Sequence, residues 1–224
     1  GSMLTIGGTR LNVTLAAGAT ATISGTLTIS SGRTYNTGGA SSVTTVNGVL
    51  DNFGTVTSAA VDNLIFNAGS AYIHSGDGGT IPAATWNVSS LCSVTGMAGT
   101  VVGGLGQTFG NFKWDCTGQT KNQSLPSTGT IAIAGILELN STGAGTDQLQ
   151  LNQAALSVAS FTQTGGNFEI ASVAQALTVT GYVSISGGTL IMSSGTGIGT
   201  LNVAGNFSHT AGTITETSSG TGLI

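Results

Sequence analysis

Whatever acid–base chemistry this chain could do rests on eight carboxylates: Asp51, Asp62, Asp77, Asp115, Glu138, Asp147, Glu169 and Glu216. Cleaving a polysaccharide needs two of them about 5 to 10 Å apart, one to protonate the leaving oxygen and one to attack or to activate water. For metal chemistry the chain has only His74 and His209, and no His/Cys/Asp cluster at ligand spacing. The stretch "HSGDGG" (74–79) has the look of a cation loop but lacks the paired acids of a calcium site, and reads as a glycine turn. No serine stands in a nucleophile-elbow context. No catalytic residue, metal ligand or cofactor is therefore assigned.

Composition narrows the partners. Charged residues are 5% of the 224, against about a quarter in ordinary domains, and 37 positions are glycine. A mean hydropathy of +0.33 with so little charge is unlike a disordered chain. Four basic residues (Arg10, Arg33, Lys113, Lys121) and a net charge of −4 leave no patch for nucleic acid. No run of about 18 apolar residues is present, so no helical membrane span is expected. Gly1–Met3 reads as an expression scar, residues 4–224 as one domain, and the whole as a fragment of a larger protein with flanking domains of its own.

What must position these groups is a repeat. "LTVTGYVSISGGTLIM" (177–192) returns 24 residues on as "LNVAGNFSHTAGTITE" (201–216). Nine units align on small residues, Gly25, Gly48, Ala68, Ser90, Gly110, Gly135, Ser160, Gly181 and Gly205, at a mean step of 22.5. Two places before these anchors stand Ile23, Val46, Phe66, Val88, Thr108, Ile133, Val158, Val179 and Val203. Two places after stand Leu27, Leu50, Ser70, Cys92, Phe112, Leu137, Thr162, Val183 and Phe207, with Phe161 displaced by a one-residue deletion. Polar residues intervene. Such alternation is a half-buried strand, and no stretch carries a 3.6-residue period.

A unit this short cannot bury its apolar face alone, so each must stack on the next. The expected fold is all-β: a single right-handed parallel β-helix (β-solenoid) of about nine to ten coils. Ile23, Val46, Phe66, Val88, Ile133, Val158, Val179 and Val203 should form one buried column. An antiparallel sandwich also spaces its strands 8 to 12 residues apart, but does not require equivalent positions to recur. The coils lengthen at 75–87 and 116–130, around the only prolines, Pro82 and Pro126, and such corners often carry a solenoid's binding.

The register returns to the chemistry. Asp51 and Glu138 share the column three places after the anchor but lie four coils apart, about 19 Å at strand spacing. Asp115 and Glu138 occupy neighbouring coils and are read as pointing to opposite sides. Lys113 stands one coil from Glu138 in its own column, which predicts a salt bridge. Ice binding would need a flat threonine ladder, and the pairs Thr26/Thr28, Thr55/Thr57 and Thr213/Thr215 sit at unlike offsets. A sugar face would stack on exposed aromatics: Tyr182 is on the outward parity and Tyr35 near a corner, whereas Trp86 and Trp114 lie in inward columns. Tyr35, Lys113, Glu138 and Tyr182 are the candidate ligand contacts.

Cys92 and Cys116, the only cysteines, are 24 residues apart, near one period, which places them on adjacent coils. Strands about 4.8 Å apart suit the Cα separation of a disulfide, and an extracellular setting would preserve one, so a bridge is expected. Their offsets from the anchor differ, +2 and +6, and a corner or bend must absorb the difference. Two buried free thiols are the alternative.

The segments "GTIPAATWNVSSLCSVTG", "GLGQTFGNFKWDCTGQT" and "LTVTGYVSISGGTLIM" resemble the repeat regions of very large secreted surface proteins of Bacteroidetes, exported by the type IX (gliding-associated) route. The likeness covers most of residues 40–216 and is most specific from Trp86 to Cys116. It implies an extracellular stalk or adhesive repeat. The leading expectation is thus a non-catalytic structural or adhesive segment of a secreted surface protein, facing extracellular polysaccharide or a host or cell surface. A polysaccharide-binding module comes second, ahead of a carbohydrate-active enzyme or an ice-binding solenoid.

Overall fold

The computed structural model describes residues 2–8, 12–39, 41–126, 129–216 and 219–224. The chain winds as a β-solenoid of about nine turns with a ~23-residue period. All strand pairings among the described residues are parallel. The helical content there is a single 3₁₀ turn, Val61–Asn63.

Each turn lays down up to three strands. The first face comprises Thr20–Ile23, Val43–Val46, Leu64–Phe66, Thr85–Trp86, Thr108–Phe109, Ala132–Ile133, Ala155–Val158, Gln175–Val179, Ile198–Val203 and Thr221–Leu223. The second face is an unbroken ladder. It runs from Met3–Ile6 through Thr26–Ile29, Val49–Asn52, Ala71–His74, Leu91–Val94, Asn111–Asp115, Ile136–Ser141 and Ser160–Gln163 to the first halves of Val183–Ser193 and Phe207–Glu216. The ladder starts within the opening tripeptide, since Met3 pairs with Thr26 and the Ser2 carbonyl accepts from the Thr26 amide. A third face holds Val13–Thr14, Thr34–Asn36 and Thr55–Thr57 at one end and Gln123–Leu125, Leu149–Leu151 and Asn167–Glu169 towards the other. Between these groups the segments 75–84 and 95–107 of two successive turns keep only the bridge Thr80–Gly103.

The buried first-face column is Ile23, Val46, Phe66, Trp86 in one ladder, Phe109 and Ile133 in the next, then Val158, Val179 and Val203. It departs from the predicted column at two places. Val88 is 63% exposed, and Trp86 pairs with Phe66 in its stead. Phe109, not Thr108, pairs with Ile133. On the second face Tyr72, not Ser70, stands between Leu50 and Cys92, and Phe161 aligns with Leu137 and Val183 as the deletion required.

The cause is corner length. At Asn67–Ser70 and Asn87–Ser90 the corner gains two residues, closed in each case by the Ser amide and hydroxyl donating to the Asn carbonyl. A fixed offset cannot follow such insertions. The added room is filled by aromatics: Trp86 stacks on Phe66 with centroids 4.2 Å apart, and Phe109 packs 5.1 Å from both Trp86 and Phe112.

Small anchors have a steric reason. At the regular corner the Gly48 amide donates to the Ile23 carbonyl and Val49 donates to Gly25, so backbone lies on backbone. A Cβ on Gly48 would press into the Gly25 carbonyl oxygen, closer than any real Cβ contact. Gly39, by contrast, has open space where a Cβ would go. Gly48→Ala is expected to lower stability by about 1–3 kcal/mol through overpacking, with Gly39→Ala neutral, as read by urea melts of the two variants.

Candidate functional site

Lys113 Nζ lies 3.1 Å from Glu138 Oε1, on the neighbouring strand positions that the repeat predicts. The same ammonium is 3.7 Å from Asp115 Oδ2. Asp115 and Glu138 therefore share one face, against the expectation of opposite sides: positions 113 and 115 have the same parity along Asn111–Asp115. Asn140 Nδ2 reaches Asp115 at 3.5 Å, and the Thr164 hydroxyl donates to Asn140 Oδ1 at 2.8 Å. Partly exposed, the ion pairs contribute about 0–1 kcal/mol; their value is in fixing register between coils.

Other carboxylates act the same way. Asp51 accepts from the Ser75 hydroxyl at 2.6 Å and Asp62 from the Thr85 hydroxyl at 3.2 Å, each one turn on. Asp77, in the loop considered for a cation, accepts from the backbone amides of Ala98 (2.8 Å) and Thr100 (2.9 Å), which hold its carboxyl below the usual carboxylate range. Surrounded by N–H donors, it suits an anchor rather than a cation ligand. Glu169, only 3% exposed, accepts from Gln150 Nε2 at 2.6 Å and from the Ser194 hydroxyl. No group of three metal-ligating side chains forms among the described residues.

The structure buries a polar relay that the sequence reading missed. Asn52 Nδ2 donates to the Tyr72 hydroxyl (2.9 Å), which lies 3.1 Å from His74 Nδ1, while His74 Nε2 lies 2.6 Å from the Gly78 carbonyl. A carbonyl can only accept, so the proton is on Nε2, and the tyrosine donates to Nδ1. The relay ties the second face to the start of the long corner. Its one sequence signal was the polar residues Asn52 and His74 at inward parity, in strands otherwise apolar on that side.

Two openings on the described surface are each of about 410 Å³. One lies between Gly54–Ser58 and Gly79–Ala83, where the third face loses its strand at a long corner. The other crosses successive turns of the outer third face, lined by Thr146, Gln148, Asn167, Thr189, Ile191 and Thr215. Neither lining contains an acid, a histidine or a lysine. Hydroxyls, amides and backbone can hydrogen-bond there but cannot shuttle a proton at neutral pH.

The remaining candidates separate. Tyr182 is 43% exposed, but Tyr35 is 3% exposed, its hydroxyl on Thr44 Oγ1 at 2.8 Å, so it offers no platform to a sugar. Trp114 is fully buried and Trp86 packs against the core, as expected of inward columns. Cys92 and Cys116 are free buried thiols, which corrects the expected bridge. Cys92 is paired in register with Phe112, four residues before Cys116, or about 13 Å along the strand. No bend absorbs that offset. Cys116 Sγ instead points at the Val94 carbonyl (3.4 Å). Burial raises both thiols, Cys116 to about 12.

Comparison of the chain with protein-family models, curated proteins and solved structures gives no match. Fold and geometry alone define its class, a parallel β-solenoid repeat protein.

Two outcomes follow from the buried groups. Burial holds the His74 pKa below the ordinary histidine value, so as pH falls the unfolded chain takes up a proton that the native chain resists. This stabilisation is present above about pH 6.5 and lost as pH falls through the depressed native value. Melting temperature should therefore fall between pH 7 and pH 5.5, and His74→Gln should flatten that fall, as followed by circular dichroism. In a thiol-alkylation assay the unreduced native chain should react negligibly, and the unfolded unreduced chain should take up two labels.

Proposed function

We propose that the chain is a non-catalytic structural or adhesive segment of a secreted bacterial surface protein. One observation carries this reading: no acid lines either of these two openings. Asp51, Asp62, Asp77, Asp115, Glu138 and Glu169 are each engaged by a neighbouring turn, while both openings are lined by uncharged groups. Charges used this way tie coil to coil along a rod, as a stalk requires. The resemblance of most of residues 40–216 to Bacteroidetes surface repeats is what supports the extracellular setting and the type IX route within the same proposal.

A second reading, polysaccharide binding, is favoured by the outer third-face groove. Its amides and hydroxyls recur turn by turn, as a chain of sugar hydroxyls would need. Its lining holds none of the aromatic side chains that usually meet sugar faces.

Purified chain incubated with pectin-, alginate- and xylan-type polymers, with and without divalent cations, should release no new reducing ends or unsaturated products. Turnover abolished by Asp115→Ala or Glu138→Ala would overturn the proposal. A glycan array separates the two readings: binding lost in Gln148→Ala and Asn167→Ala supports the second.

A further inference from the structure

The third face is interrupted in the interior of the chain. Val13–Thr14, Thr34–Asn36 and Thr55–Thr57 form a ladder that stops at Thr55–Thr57, although the chain goes on to complete the next turn. In that turn the segment 79–81 pairs onward, to Gly103, through the bridge at Thr80. The opening of about 410 Å³ bounded by 54–58 and 79–83 lies between the two.

Successive residues of a parallel strand turn their main-chain groups to opposite neighbours, so the bonds on either side identify what faces this opening. The Thr55 amide donates to the Arg33 carbonyl at 2.9 Å, and the Thr57 carbonyl accepts from the Thr37 amide at 3.0 Å. Thr55 and Thr57 thus face the turn before, and Val56 directs its N–H and C=O into the opening. Across it the Gly79 carbonyl accepts from the Gly103 amide at 2.8 Å, and the Ile81 amide donates to the Gly103 carbonyl at 3.0 Å. Those groups face the turn after, so Thr80 directs its own N–H and C=O back towards Val56. Among the described residues no main-chain hydrogen bond joins the two walls.

The walls are also held in place. His74 Nε2 donates to the Gly78 carbonyl at 2.6 Å, and Asp77 accepts from the Ala98 and Thr100 amides one turn on. Opposite them the Gly54 amide donates to Asn52 Oδ1 at 3.0 Å. The corner is fixed away from the strand edge rather than free to settle on it.

We propose that this opening is a β-augmentation slot for an extended peptide segment of a partner protein. The segment runs parallel to Thr55–Thr57 and pairs with Val56 on one side and Thr80 on the other. The walls specify this occupant. Each offers an N–H and a C=O in strand orientation, and an extended main chain, with its groups alternating to either side, answers both at once. A sugar ring or an apolar ligand does not. The lining carries no charge, which selects an uncharged segment. Val56 and Ile81 are 4% and 1% exposed, so the residue passing between them must be small, glycine or alanine. Three residues, about 10 Å of extended chain, match the length of the Thr55–Thr57 edge. The slot is separate from the groove that favours polysaccharide, and it does not depend on the role proposed for the rod.

The probe is the capped pentapeptide acetyl-Gly-Thr-Ala-Thr-Ser-amide, the chain's own 54–58 with alanine in place of valine, titrated into isotope-labelled protein and followed by NMR. The Val56 and Thr80 amide signals should shift and their hydrogen exchange should slow, while Gln148 and Asn167 stay unchanged. The same peptide N-methylated at its alanine and at the threonine after it loses a donor to each wall. It should bind at least about tenfold more weakly. Ala83→Trp fills the opening from an exposed position and should abolish the shifts; Thr146→Trp, at the other opening, should leave them as in the parent. The methylation comparison holds even where Ala83→Trp disturbs the corner by circular dichroism. No shift at millimolar peptide would overturn the proposal and leave the slot to water. Equal binding of the methylated peptide, or shifts that persist in a folded Ala83→Trp chain, would overturn it as well.

Discussion

In-register contact between one coil's backbone and the next is the constraint from which the rest of this structure follows. Parallel strands about 4.8 Å apart leave little room at the regular corner for a side chain. There the Gly48 amide reaches Ile23 and the Gly135 amide reaches Gly110, carbonyl over amide. Fixing that contact fixes the phase of the alternation on either side. Apolar residues then recur at one height per coil, and the columns follow as a consequence of the corner.

Where the backbone ladder lapses, glutamine amides take over its hydrogen bonds. The first-face ladder breaks between Thr85–Trp86 and Thr108–Phe109. Gln107 fills the gap: its Oε1 accepts from Trp86 Nε1 at 2.9 Å and its Nε2 donates to the Gly104 carbonyl at 2.6 Å. A second break lies between Ala132–Ile133 and Ala155–Val158, and there Gln153 accepts from the Ile131 amide (3.0 Å) while donating to its carbonyl (3.1 Å). On the third face Gln123 does the same for the amide (2.8 Å) and carbonyl (3.3 Å) of Val102. A primary amide has the donor–acceptor pair of a peptide group, so one side chain substitutes for one missing strand residue. Leaving those buried peptide groups unmet would cost about 1–3 kcal/mol each.

The fold was legible because a period survives small errors, and the site was less so because chemistry depends on single residues. Recurrent alternation around Gly25, Gly48, Gly135, Gly181 and Gly205 specified a parallel stack, and the Lys113–Glu138 pair came out of the same register. The failures have separate origins. Two-residue insertions at Asn67–Ser70 and Asn87–Ser90 moved Tyr72 and Trp86 into columns where a fixed offset put Ser70 and Val88. The cysteine bridge failed because a 24-residue separation gives the coil but not the position along the strand, and four residues of offset exceed what a disulfide spans. The Asn52–Tyr72–His74 relay was hidden because alternation predicts burial and says nothing of which buried polar groups will meet.

The same stacking explains why the chain is so poor in charge. In a parallel register any charged column repeats its sign every 4.8 Å or so, and like unit charges that close repel by about 1 kcal/mol even at the dielectric of water. Asp51 is accordingly followed in its column by Ile73 and Ser93, and Glu138 by Thr162. Lys113 is the one charge beside another in that column, and it is of opposite sign. Acids spaced by this rule find hydroxyl and amide partners on the next turn rather than one another. The pair of carboxylates that does come close, Asp115 and Glu138, lies 3.7 and 3.1 Å from the Lys113 ammonium and so within about 7 Å of each other, with the cation holding both. The long corner after His74 spends its only acid, Asp77, on the amides of Ala98 and Thr100. The rule that lets these coils stack is thus the rule that spaces most of their acids apart and puts a cation between the two that meet.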